Sequence, residues 1–234
     1  MKEKISYLRI LSVFILIIII TSLTLFKFVI PPANMLTNEL PQRFQIQIKK
    51  FHIRYVQSDK ISQKIKDSAL ASQDKRFYSD SGIDLIGSIR ALFFTFTSGK
   101  RQGASTITEQ LAKNLYFDNT DNWQTDIKSK ILALFITRKY SKNQIITIYL
   151  NAIYYGKHAY GIYNASETYF HTTPDKVTLP QATYLLALIN APSYLSANKD
   201  DAITRAEIVL SEMEKNKFIS SGEEMKAKIE LSKL

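Results

Sequence analysis

The stretch from Gly103 to Asn114, Gly-Ala-Ser-Thr-Ile-Thr-Glu-Gln-Leu-Ala-Lys-Asn, gathers side chains that could hold a charged substrate. Ser105 and Thr106 precede a helical segment and can cap its first turn, where unpaired backbone N–H groups favour anions. Gln110, Lys113 and Asn114 follow at i, i+3 and i+4, so one ammonium and two amides share a helix face. A helix N-terminus, a lysine and two amides suit a phosphorylated sugar. The same pattern also describes an ordinary capped helix with a solvated polar face, and spacing alone leaves both open. Two further stretches hold chemistry-bearing groups. Gln73 to Gly82 follows a helix and contains Asp74 and Asp80, and Tyr149-Leu-Asn-Ala-Ile-Tyr-Tyr-Gly156 leads to Tyr160-Gly161 and Tyr169-Phe170.

The chain that must position these groups has 234 residues, 45% of them hydrophobic, with no cysteine, 7 Gly and 6 Pro. That is enough for one ordinary domain with a real core plus an accessory segment. It excludes a disulfide scaffold, a thiolate metal site and a cysteine nucleophile. His52, His158 and His171 are scattered without metal-ligand spacing. A formal charge of +10 suits polyanions: nucleic acid, an anionic bilayer surface or a diphosphate lipid.

No charged residue occurs from Ile10 to Phe26, and residues 15–20 are entirely aliphatic. Extended to Ile30, the segment has the roughly 20 residues needed to cross a bilayer. Lys2, Lys4 and Arg9 precede it, so the positive-inside rule places residues 1–9 in the cytoplasm and everything after Pro31 outside. A cleaved signal peptide fits less well, because the apolar run is long and Pro31-Pro32 replaces a small-x-small site. The expectation is a single-pass anchor over 10–30 in the cytoplasmic membrane, with the main domain on its outer face. That topology argues against nucleic acid as a partner.

Residues 31–58 read as a connecting segment. Phe44, Ile46 and Ile48, then Phe51, Ile53 and Tyr55, alternate with polar residues, and a phase slip at Lys49-Lys50 suggests one bulged strand or two short ones. Beyond it helical signals accumulate. Ser58-Asp59 can cap a helix carrying Ile61, Ile65 and Ala69, and Ser141 with Gln144 and Thr178 with Gln181 form capping-box patterns. Residues 59–214 are expected to form a mostly α-helical domain, and 215–234 a solvated helix or frayed tail. Residues 84–97 are apolar on more than one face, which fits a buried helix or a segment dipping into the outer leaflet.

The stretch 103–114 resembles the second signature of glycosyltransferase family 51, the peptidoglycan glycosyltransferases. Asp74-x-x-Phe77 with Gly82 resembles the first, which in that family reads Glu-Asp-x-x-Phe-x-x-His-x-Gly. Arg138 to Lys142, then Tyr149-Leu-Asn151, and Tyr160-Gly161 ahead of Ala165 and Tyr169-Phe170, are similar to its later motifs. The match is colinear from about Ser68 to Tyr194. It implies a lysozyme-like fold of two helical lobes that elongates glycan strands from lipid II, an undecaprenyl-diphosphate-linked saccharide, at the outer face of the cytoplasmic membrane. A glutamate would serve as general base on the acceptor hydroxyl, and a second glutamate with basic residues would attend the diphosphate. Substrate contacts would fall on Ser105, Thr106, Gln110, Lys113, Asn114 and Lys128. No cofactor is expected; the family at times uses a divalent metal, which is not expected here. A cell-wall synthase is a conceivable partner.

The chain departs from that pattern at its acids. The general-base glutamate falls on Gln73, whose amide cannot accept a proton at neutral pH. The second glutamate falls on Ser129 and its Arg-Lys pair on Thr125 and Asp126. The first motif's histidine falls on Asp80, and later glutamates fall on Thr137 and Gln181. The expectation is therefore a relative with lost or strongly reduced transfer, or a non-catalytic binder of lipid II or nascent glycan. An active polymerase would need a replacement carboxylate, Glu109 or Asp74. A muramidase would need Asp74, Asp80 or Glu109 as proton donor.

Overall fold

The computed structural model describes residues 13–21, 31, 39–84, 97, 105–118, 120 and 122–234. Its described residues are mostly helical. They contain no β-strand, and an isolated antiparallel bridge joins Tyr154 to Tyr160. Helix α1 spans Glu39–Phe51, α2 Gln63–Gln73, α3 Ile107–Phe117, α4 Trp123–Lys139 and α5 Lys142–Ala152. Then come α6 Ile162–Phe170, α7 Leu179–Leu188, the short α8 Pro192–Leu195, α9 Lys199–Lys215 and α10 Ser221–Leu231.

Helix α7 organises one side of the core. Ala182 to Leu188 are all buried, and a helix apolar all round has to be enclosed by others. Helices α2, α9 and α10 pack on it. Its start follows the sequence pattern, with Pro180 in the first turn and the Thr178 N–H donating to Gln181 Oε1 at 3.0 Å. On the other side α3 packs on α4 and α5, and α1 lies across α3 and α5. The Ser141/Gln144 capping box opens α5.

The strand reading of residues 44–55 is overturned. Leu40 and Phe44 are buried and Ile48 packs beside them, a spacing of four that forms a helical stripe, whereas Ile46 is 65% exposed. The apparent phase slip at Lys49-Lys50 is the helical period. Pro41 sits in the first turn of α1, where its missing N–H breaks no hydrogen bond. The helix expected to start at Ser58-Asp59 begins later: Ser58–Lys60 form a 3₁₀ turn, and Ser62 caps α2. Ahead of that turn the backbone at Val56 is fixed by Asn151, whose amide accepts from the Val56 N–H at 2.8 Å and donates to its carbonyl at 2.9 Å. At the other end α10 is docked on α7 and α9 through buried Ala227 and Leu231.

Residues 13–21 are helical, with Val13 to Ile20 exposed. No helix among the described residues is long and apolar enough to cross a membrane. The expected 10–30 span and the apolar 84–97 stretch lie largely outside the described residues.

Candidate functional site

Asp74 joins two helices. It ends α2, its own N–H bonding Leu70 O at 3.0 Å, and its Oδ2 accepts the Ile107 N–H at the start of α3 at 3.1 Å. Thr106 caps the same turn: its hydroxyl accepts the Glu109 N–H at 3.1 Å and donates to Gly82 O at 2.8 Å. The anion site expected at this helix start is thus occupied by the chain's own Asp74, and Ser105 stays exposed beside it. Asp74 is only 6% exposed. Burial, with the neighbouring Asp80 charge, raises its carboxyl pKa to about 7, against the pull of the Ile107 N–H and Lys142.

Asp80 Oδ1 pairs with Lys142 Nζ at 2.7 Å and accepts the Gly82 N–H at 2.9 Å, and its Oδ2 is buried beside Asp74. Gly82 is required here. Its φ is +99°, and a Cβ would meet Thr137 Oγ1 at 2.5 Å and Ala133 O at 2.6 Å. Its lack of a side chain lets the 74–82 loop close on α4 and on the start of α3.

A neutral hydrogen-bond chain occupies the position of the expected general base. Tyr149 OH donates to Gln110 Oε1 at 3.0 Å, Gln110 Nε2 donates to Gln73 Oε1 at 3.2 Å, and Gln73 Nε2 reaches Ser72 Oγ at 3.3 Å. Tyr149 is fully buried, and burial with the nearby Asp74 charge drives its hydroxyl pKa far up, so it stays a donor.

Two ion pairs tie α3 to α4. Glu109 Oε2 meets Lys130 Nζ at 2.6 Å, and one turn along, Lys113 Nζ meets Asp126 Oδ1 at 2.9 Å. The signs cross, so each helix contributes one acid and one base and the face is self-neutralising. Glu109 is 3% exposed, and its other oxygen is buried with no hydrogen-bond partner among the described residues. Burial raises its pKa against the pull of Lys130. Ser129 is also buried but turns back on its own helix, donating to Thr125 O at 2.8 Å and Asp126 O at 3.0 Å. Asn114 Oδ1 accepts from Gln47 Nε2 on α1, and Lys128 is half-buried.

Residues 40–214, most of the helical assembly just described, match the transglycosylase family model. The chain belongs to the transglycosylase family. It is 34% identical over 186 residues to a monofunctional glycosyltransferase of Staphylococcus epidermidis, covering 76% of this chain and 69% of that protein. A monofunctional glycosyltransferase of Staphylococcus haemolyticus is 35% identical over 187 residues, with 76% and 69% covered. Penicillin-binding protein 1A of Rickettsia bellii is 34% identical over 173 residues, 71% of this chain but 22% of that protein.

Within this transglycosylase-family domain, the structure brings Gln73, Asp74, Thr106, Glu109 and Gln110 together around the start of α3. Lys113 is engaged by Asp126, and Asn114 is turned toward α1. Four participants were not singled out from sequence: Lys130, Lys142, Tyr149 as a donor, and Gln47. Lys142 and Tyr149 lie within the recognised motifs, so their spacing could have flagged them. Lys130 and Gln47 act across helices and leave no local pattern. Among the described residues, no group of three or more His, Asp and Glu side chains is disposed to hold a metal.

Proposed function

We propose that this transglycosylase-family chain binds lipid II or its nascent glycan at the outer face of the cytoplasmic membrane with its glycosyl-transfer activity lost or strongly reduced. The domain would have the family's lysozyme-like, two-lobed form, held there by an anchor over residues 10–30. The carrying observation is the Gln73–Gln110 amide contact at 3.2 Å, which puts no proton acceptor where a general base is needed. The crossed ion pairs add to it, because Lys113 and Lys130 already have carboxylate partners. The glycosyltransferase names of the relatives support the substrate class.

A second reading keeps the chain as a polymerase that uses Asp74, because a carboxyl titrating at about 7 next to position 73 is well matched to proton abstraction. Its burial and its bond to Ile107 weigh against it. The test is polymerisation of labelled lipid II by the full chain in detergent, beside a binding measurement. Binding with little or no polymer is expected. Rapid polymer formation abolished by Asp74→Asn or Glu109→Gln would replace the first reading with the second.

A further inference from the structure

The loop that closes on the first turn of α3 carries two buried acids against one cation. Asp74 is 6% exposed and the Asp80 side chain 5%. Their carboxyl groups lie within hydrogen-bond reach of each other. Each is also held from outside the pair. Asp74 Oδ2 accepts the Ile107 N–H at 3.1 Å, and Asp80 Oδ1 takes the Lys142 ammonium at 2.7 Å and the Gly82 N–H at 2.9 Å. That leaves Asp80 Oδ2, which is buried and receives no N–H or hydroxyl from the described residues. Carboxylates only accept, so a proton on Asp74 is the donor that fits between the two.

The surrounding charges call for the same proton. From α3, Glu109 faces Asp80 but is taken by Lys130 of α4 at 2.6 Å. From α5 come Lys142 and Tyr149, whose hydroxyl burial keeps protonated. Helix α2 ends in the neutral Gln73, and on the loop itself Lys75 is exposed and Arg76 is engaged by Asp84. Two carboxyl groups therefore share one ammonium. Lys142 is fixed in place, its Nζ 4.5 Å from the centroid of the fully buried Phe77 ring. Two like charges in contact away from water do not both persist, and one of them is neutralised by a proton. Burial with the Asp80 charge holds the Asp74 pKa at about 7, so the proton is exchanged across the neutral range.

The pair is tied to the fold at Gly82. Thr106 Oγ1 donates to Gly82 O at 2.8 Å, and Gly82 lies close against Ala133 and Thr137 of α4. A shift of Asp80 is therefore passed to the start of α3 and to α4.

We propose that Asp74 donates its proton to Asp80 Oδ2 and that this proton is a latch, which holds the 74–82 loop closed on α3 and α4. On its loss two anions confront Lys142, the loop loosens, and a further negative charge stands beside Gln73. Lipid II, whose diphosphate is anionic, is then held less tightly, and by reciprocity its binding favours the protonated pair. The link to lipid II rests on the function proposed above; the latch rests on the geometry of the pair.

The test measures binding of labelled lipid II to the full chain in detergent at about pH 5.5 and about pH 8.5, on either side of the exchange. Beside it, carbon NMR of chain labelled at the aspartate side-chain carboxyl follows Asp74, identified as the signal lost in Asp74→Asn. Binding about fivefold weaker at the higher pH is expected, with the Asp74 carboxyl titrating at about 7. Asp80→Asn keeps an acceptor for Gly82 and Lys142 and offers Asp74 an N–H donor. It should lower the Asp74 titration and remove the pH dependence of binding, and thermal melts establish that it is folded. An Asp74 carboxyl that titrates in the ordinary carboxylate range overturns the latch without recourse to any ligand or to the Asp80 variant. Equal binding at both pH values, or an unchanged dependence in folded Asp80→Asn, also overturns it. The two readings fail separately: absence of lipid II binding at either pH defeats the binding reading, while the Asp74 titration and its response to Asp80→Asn still decide the latch.

Discussion

Gln73 Oε1 accepts a hydrogen bond from Gln110 Nε2, and Gln110 in turn accepts from the buried hydroxyl of Tyr149. In this chain Tyr149, held protonated by burial, gives its proton to Gln110 Oε1, and the Gln110 amide N–H is turned to Gln73. A carboxylate at position 73 could accept the same bond from Gln110 without disturbing the order. The amide therefore changes the chemistry at position 73 while leaving this hydrogen-bond order open to a carboxylate.

The Gln73→Glu and Ser129→Glu pair tests that frame. A restored general base is worth about 10²–10⁴ in rate, so the double variant should make glycan polymer at least 10²-fold faster than the parent in a lipid II assay. Ser129 is buried between Thr125 and Ala133 on the packed face of α4, and a glutamate there would have to share the lysines of the crossed pairs. Gln73→Glu alone should therefore give less than the pair. No gain from the pair would mean that the surrounding groove has changed as well.

Asp126 holds Lys113, and releasing it should sharpen anion binding. Asp126→Asn removes the carboxylate 2.9 Å from the Lys113 ammonium while keeping similar size. We expect tighter binding of lipid II by a few-fold, about 1 kcal/mol, and a steeper loss of binding with salt. Lys113→Ala should remove both effects. Filter binding at two salt concentrations separates the outcomes, and equal salt slopes in all three chains would place the diphosphate elsewhere.

The Glu109–Lys130 pair is stability-bearing only as a pair. Lys130→Met leaves a buried carboxylate uncompensated, a change that costs about 3–5 kcal/mol when the site is dry. Lys130 is 35% exposed, so about 3 kcal/mol is the better expectation. Adding Glu109→Gln to Lys130→Met should recover most of that loss. Urea denaturation of the single and double variants measures the difference, and a double no more stable than the single would refute the pairing.

The sequence was informative where a signal is local. Ser141 with Gln144 and Thr178 with Gln181 start helices where their capping patterns place them, and Gly82 stands where a side chain would collide with α4. It misled where two periods coincide: Phe44, Ile46 and Ile48 alternate like a strand, yet burial of Leu40 and Phe44 selects the helix. The crossed partners of α3 and α4 were not legible at all. Glu109 and Lys130 are 21 positions apart, and only the antiparallel packing of their helices brings them together. The same holds for Asp74, whose type suggests a solvated replacement base and whose position makes it a buried helix joint.

That joint makes stability depend on pH in a direction opposite to the usual carboxylate. Asp74 titrates near 3.8 when unfolded and at about 7 when folded. Between those values the native state holds a proton that the unfolded chain has released, so its contribution is full below pH 4, declines as pH rises, and levels off above 7. Asp74→Asn keeps an acceptor for the Ile107 N–H but carries no ionisation, so it removes this slope. Relative to that variant, the parent should lose stability steadily from pH 4.5 to 7.5. Comparing the pair cancels the contribution of Glu109, whose pKa is raised in the same sense. Urea midpoints at both pH values give the answer. A parent that gains on Asp74→Asn as pH rises would show that Asp74 is stabilised as the anion, and that its bond to Ile107 outweighs both burial and the Asp80 charge.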